Sequence, residues 1–180
     1  ANNMCLIKDY RERTIGQAGT LGGSFENALT WNKRVHTIIK CTKDEFVSFT
    51  DSNKNSFELA SGKYLISYRS NFNIKGFIKT RIYNEDKNKT EVITATLDLT
   101  SENATNSDYV VSSEVDIVDI NSSGTDTLSL QYYYKFEVIS PAITPADYNL
   151  GWDGFFQSAS LLDNSELSTN YSTIVIQKVD

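Results

Sequence analysis

The chain has 180 residues, 39% hydrophobic and 12% aromatic, enough for one domain with a core that needs no metal or disulfide staple. Its net charge of −6 and pI of about 4.8 repel a polyanion, and no Lys/Arg run offsets them, so nucleic acid is excluded as a partner. No stretch approaches the ~20 apolar residues that cross a bilayer as a helix, and no signal-peptide core opens the chain, so membrane insertion is not expected.

In chain order, residues 1–19 read as a solvated N-terminal arm, because Lys8, Arg11 and Arg13 interleave with Asp9 and Glu12. Trp31 to Cys41 and Phe46 to Phe49 read as strands. The stretch FELASGKYLISY (Phe57 to Tyr68) reads as a strand entered through Ser61-Gly62, with Tyr64, Ile66 and Tyr68 on one face. Ile78 to Tyr83 and Val92 to Leu97 flank NEDKNKTE, a polar hairpin tip, with Ile93, Ala95, Leu97 and Leu99 as the apolar face of the second arm. After the loop SENATNSD, Tyr109 to Ile120 reads as one strand, with Val111, Val115 and Ile117 on one side and Glu114 and Asp116 on the other. NSSGTD then turns the chain into a strand whose Leu128, Leu130, Tyr132, Tyr134, Phe136 and Val138 share a parity. SPAITPAD is an irregular crossing, since proline is excluded from central strands. GWDGFFQSASLLD and a last strand, STIVIQKVD, follow. Period-two alternation between turn clusters, with no helical stripe, predicts a single all-β domain of about eight to ten antiparallel strands, a sandwich or barrel.

Few residues suggest chemistry. Cys5 and Cys41 are too far apart for a metal spacing and read as two buried thiols, with one structural disulfide as the alternative. The lone His36 sits in a predicted strand with no nucleophile elbow, and reads as a packed histidine. Glu114, Asp116 and Asp119 are clustered as a glycosidase pair would be, but acidic residues on an outward strand face are ordinary solubilising groups. Asp44, Glu45 and Asp51 lack the spacing of a calcium loop. No metal or cofactor is expected. Four sequons (at Asn88, Asn103, Asn121 and Asn170) are read as chance in a chain rich in Asn, Ser and Thr. Tyr148, Trp152, Phe155 and Phe156 surround two glycines, and form either a binding platform or a buried plug.

The order of these features resembles a known family. GGSFENALTWNKRVHTI places Gly22, Gly23, Ser24 and Phe25 ahead of Trp31 and Arg34. Phe57, Leu59, Gly62, Tyr64 and Ile66 follow, then Thr80 to Asn84 (TRIYN), and a β-branched last strand from Thr173 to Lys178. Over roughly residues 20–180 this is similar to the C1q/TNF-like jelly roll found in bacteriophage and other viral fibre and head-associated proteins. The resemblance implies a two-sheet jelly roll that assembles as a homotrimer, with Tyr64, Tyr68 and Tyr133 at the interface. It further implies a non-enzymatic virion-surface protein, a fibre or spike knob or a capsid decoration. Such a protein would bind a host glycan or surface protein and attach to other virion proteins through residues 1–19. Two alternatives remain: a secreted or cell-surface C1q-like ligand or lectin module, and a jelly-roll carbohydrate-active enzyme working through Glu114 or Asp116.

Overall fold

A computed structural model describes residues 3–12, 22–99, 107–137, 148–151 and 169–179. Among them there are eleven strands and no helix: β1 Asn3–Arg11, β2 Asn32–Lys33, β3 Ile38–Cys41, β4 Val47–Phe49, β5 Phe57–Ile74, β6 Gly76–Asn84, β7 Lys89–Ile93, β8 Leu97–Leu99, β9 Ser107–Ser112, β10 Asp116–Phe136 and β11 Thr169–Val179. The protein is all-β, as its alternation and turn clusters require. Every pairing is antiparallel, in the order β3-β1-β11-β5-β10-β6-β7, with β2 on β10, β4 and β9 on β5, and β8 on β6.

The two layers are one hydrogen-bonded sheet folded on itself. β5 and β10 pair from Ile66↔Asp116 to Phe57↔Leu128, which in a flat ladder would put Ile74 and Phe136 at opposite ends. At ~3.3 Å per residue they would be tens of ångströms apart. Instead Lys75 alone separates Ile74 from Gly76, and Gly76 pairs with Phe136. The ladder folds back where its register shifts, between Ile120 and Thr125 on β10 and opposite Ala60 to Gly62 on β5. Phe57 and Leu59 are buried before this point on β5, and Tyr64, Ile66 and Tyr68 after it, so the inward parity switches there. Gly62, at φ +152°, supplies backbone freedom at that switch. It lies inside β5, and the strand begins at Phe57 rather than at Ser61-Gly62. NSSGTD is likewise not a turn but a bulge within the 21-residue β10.

Two apolar clusters fill the sandwich. One joins Cys5, Ile7, Leu59, Tyr64, Ile66, Ile82 and Ile176; the other joins Phe72, Ile74, Ile78, Val111, Tyr132 and Tyr134. Burying each large aliphatic side chain stabilises the fold by about 1.5–3 kcal/mol relative to its exposure. Phe25, from the GGSF stretch, sits half-buried against the second cluster, its ring 4.6 Å from Tyr134 and 5.3 Å from Phe136.

Three further expectations are corrected. Residues 3–11 are not an arm but a strand inside the sheet, between β3 and β11, because Cys5, Ile7 and Asp9 alternate inward and are fully buried. Arg11 binds the Asp9 carboxylate at 2.9 Å, so this charge pair is partly internal; Arg13 lies outside the described residues. Cys5 and Cys41 face each other across the β1–β3 ladder and are disulfide-bonded, not free thiols. Trp31 to Cys41 is two short strands, interrupted where Arg34 and His36 turn inward.

Candidate functional site

The aromatics singled out in the sequence are mostly structural or lie outside the described residues. Tyr64 and Tyr68 face the chain's own core at 0% and 3% exposure, which leaves no surface for a second copy and corrects their assignment to an interface. Their hydroxyls are satisfied internally, Tyr64 by the Ala60 carbonyl at 2.9 Å and Tyr68 by Thr80 Oγ1 at 2.8 Å. Tyr148 is buried too: its hydroxyl donates to the Glu137 carbonyl at 2.7 Å, and its ring packs 4.4 Å from Phe136. Trp152, Phe155 and Phe156 lie outside the described residues. Tyr133 alone among these stays half-exposed, on the outer face of β10.

The acidic candidates do not converge. Glu114, Asp116, Asp119, Asp44, Glu45 and Asp51 are all exposed, and among the described residues no group of His, Cys, Asp and Glu is arranged to hold a metal. The bulge at Ser113–Val115 explains the misread strand. Ser113 donates its N–H to the Tyr68 carbonyl and its Oγ accepts from the Tyr68 N–H, both at 2.8 Å. β9 and β10 thus run along β5 with a shift of parity between them, turning Val118 and Ile120 inward and Ile117 out.

A buried polar cluster lies at the end of the sandwich. Arg34, 1% exposed, donates to the carbonyls of Asn71 (2.7 Å), Leu150 (2.9 Å) and Tyr171 (3.3 Å), and stands 4.0 Å from the Asp9 carboxylate. Burial pushes its pKa down to about 10, against the pull of Asp9. Gly22 and Gly151 let the backbones close over this arginine: a Cβ on Gly22 would collide with the Leu150 carbonyl, and one on Gly151 would meet the Tyr171 ring at 2.5 Å. The Gly-Gly and Trp-x-x-Arg stretches of the sequence therefore meet here as a structural clamp. His36 is enclosed beside it, with its pKa pushed down to about 3 by burial and by Arg34.

The exposed candidate is a groove on the outer face of the β6–β10 ladder. Trp31, half-buried, carries the Arg81 guanidinium 4.0 Å from its ring centroid, and the same guanidinium stands 4.0 Å from the Tyr83 ring. Gln131 Oε1 fixes that guanidinium by accepting from Nε at 2.9 Å and from Nη2 at 2.7 Å. Tyr133 stands 5.5 Å from Trp31, tilted by 58°. Leu29, Phe77, Lys79 and Lys135 complete a recess of about 370 Å³. Leu29 is 58% exposed and holds a left-handed φ of 58°, which a branched side chain seldom adopts, with its N–H bonded to the Tyr134 carbonyl. Sequence reading missed this site. Its signal lay in FIKTRIY, whose outward parity reads Phe77, Lys79, Arg81, Tyr83.

A second feature lies on the outer face of the opposite layer. Leu6 pairs in register with Val175, and Leu65 with Ile117, which is 67% exposed; Val115 nearby is 63% exposed. Lys8, Lys63 and Arg69 surround this apolar strip.

Fold and surface together define an all-β antiparallel sandwich with an outward aromatic groove and an outward apolar strip. Compared with known proteins, the chain matches no family model and no curated protein.

Proposed function

We propose that this is a non-enzymatic surface protein of a virion. It would be a C1q/TNF-like knob or capsid decoration that assembles as a homotrimer and binds a host glycan or surface protein. The observation that carries the binding half is the groove at Trp31, an aromatic platform set on a paired ladder. The strip of Leu6, Val175, Leu65 and Ile117 supports the assembly half, since an exposed apolar face of this kind is best covered by copies related by closed symmetry. Residues 3–11 belong to the sheet; apart from Glu12, the rest of the N-terminal segment proposed for attachment to other virion proteins, residues 1–2 and 13–19, lies outside the described residues.

Native mass spectrometry tests the assembly, with a trimer as the expected species and a monomer at micromolar concentration refuting it. Antibody labelling of intact particles tests the location. A secreted or cell-surface ligand or lectin is the second reading. The Cys5–Cys41 disulfide favours it, because such bonds persist in oxidising compartments. Secretion of the folded, glycosylated chain by its native cell would decide for that alternative.

A further inference from the structure

We propose that the groove at Trp31 takes an acidic sugar ring, a pyranose bearing a carboxylate or sulfate, with the ring on Trp31 and Tyr133 and the anion between Lys79 and Lys135. The inference rests on the glycan-binding reading above and adds the class of glycan and the residues that select it.

The platform is set before any ligand arrives. Arg81 stacks on the indole and is itself held by Gln131 and Tyr83, so ordering Trp31 costs little on binding. Tyr133, tilted against Trp31, supplies a second wall, which suits the apolar face of a sugar ring. The charge follows from register. Tyr133 pairs with Lys79 and Lys135 pairs with Phe77, so the two lysines are diagonal neighbours on one face, with about 7–8 Å between their backbones. Their long stems can bring both ammonium groups to one anion. Among the described residues neither lysine makes an ion pair and the lining itself carries no carboxylate, Asp98 standing at its border opposite Phe77. On a chain of net charge −6, a recess whose described lining carries two cations is a local reversal that favours a compact anion.

A peptide fits less well. The floor is the β6–β10 ladder, whose backbone groups are already paired with each other, so no sheet edge is offered to a peptide main chain. The volume of about 370 Å³ is that of a site for one or two rings.

The test uses the intact chain on an array of sialylated, glucuronic-acid-terminated, sulfated and neutral glycans, followed by calorimetry. Acidic glycans are expected to bind at least about tenfold more tightly than neutral ones, as charge-assisted contacts imply. Lys79→Gln/Lys135→Gln should erase that preference without moving the unfolding midpoint. A Trp31→Phe substitution should weaken acidic and neutral glycans alike. Sialylated against sulfated ligands separates the two sources of the anion. Equal binding of acidic and neutral glycans, or a preference that survives the lysine substitutions, overturns the inference and leaves glycan binding standing. No binding to any glycan overturns both. An acidic peptide retained in place of glycans, or a smaller native mass in the lysine variant, assigns the groove to a protein contact and also overturns it.

Discussion

His36 Nε2 and Ser172 Oγ stand 2.9 Å apart inside the sandwich, and neither residue is more than 3% exposed. His36 Nδ1 lies 3.2 Å from the Arg34 carbonyl, which can only accept, so Nδ1 carries the proton and Nε2 accepts from the Ser172 hydroxyl. In a cleft this would be the geometry of an activated nucleophile; sealed in the core, it is a hydrogen-bonded packing unit.

Its titration should be visible. His36 titrates at about 3 in the fold, against an ordinary 6.5, so the unfolded chain binds the extra proton. Stability is therefore complete above pH 6.5 and falls as pH drops from 6.5 towards 3, by about 1.4 kcal/mol per pH unit. As His36 is the chain's single histidine, denaturant titrations between pH 5 and pH 7 isolate it from the carboxylates. A His36→Asn variant should lose the slope in that window.

The disulfide closes a loop between residues 36 apart, and should stabilise the chain by roughly 3–4 kcal/mol. Comparing unfolding midpoints of the wild type and a Cys5→Ser/Cys41→Ser variant checks this. Both cysteines are held in the disulfide, so thiol titration should find no free thiol in the native protein or in denaturant until a reductant is added.

Arg34 and its glycines should behave as one unit. Arg34→Met removes a donor from three buried carbonyls and leaves Asp9 with Arg11 alone, so a loss of about 3–5 kcal/mol is expected. Gly151→Ala should cost about 2 kcal/mol or more, from its φ of +109° and its collision with Tyr171. In a double-mutant cycle the two losses should fall short of additive.

The outward strip separates folding from assembly. Ile117→Asp replaces a side chain that is 67% exposed, so the unfolding midpoint of the isolated subunit should move by less than about 0.5 kcal/mol. A trimer built on this face should dissociate, as light scattering would show. An unchanged mass would move the contact elsewhere.

Much of the architecture was legible because alternation reports which face is buried. Leu128 to Tyr134 has the expected parity inward, at 3% exposure or less, while Ser129 and Gln131 on the opposite parity are buried as well. Alternation failed wherever a bulge reset it. Val115 and Ile117 share a parity with the buried Val111 yet face solvent, because the chain shifts at Ser113–Val115. The hairpin arm failed likewise: Ile93 pairs with Arg81 and is 53% exposed, whereas Leu97 and Leu99 pair with Ile78 and Gly76 and pack on the core, because the register on β6 shifts between Ile93 and Leu97. Bulges arise from pairing with a distant strand and leave little local mark. The groove was hidden for a related reason. Trp31, the Phe77/Arg81 strand and Tyr133 come from three separate segments, brought together by the pairing of β10 with β6 on one side and β2 on the other.

The pairing of β1 with β11 has a consequence for how the protein is made. Asn3 lies opposite Lys178, so a growing chain holds its first strand without a permanent neighbour on that side until the last strand has left the ribosome. Ile7 and Cys5 meet their partners Ile174 and Ile176 only then. Such closure between sequence-distant strands is slow and leaves apolar edges open in the meantime. Synthesis of this domain should depend on chaperone capacity, and a ribosome stalled before residue 169 should hold a nascent chain that proteases still cut.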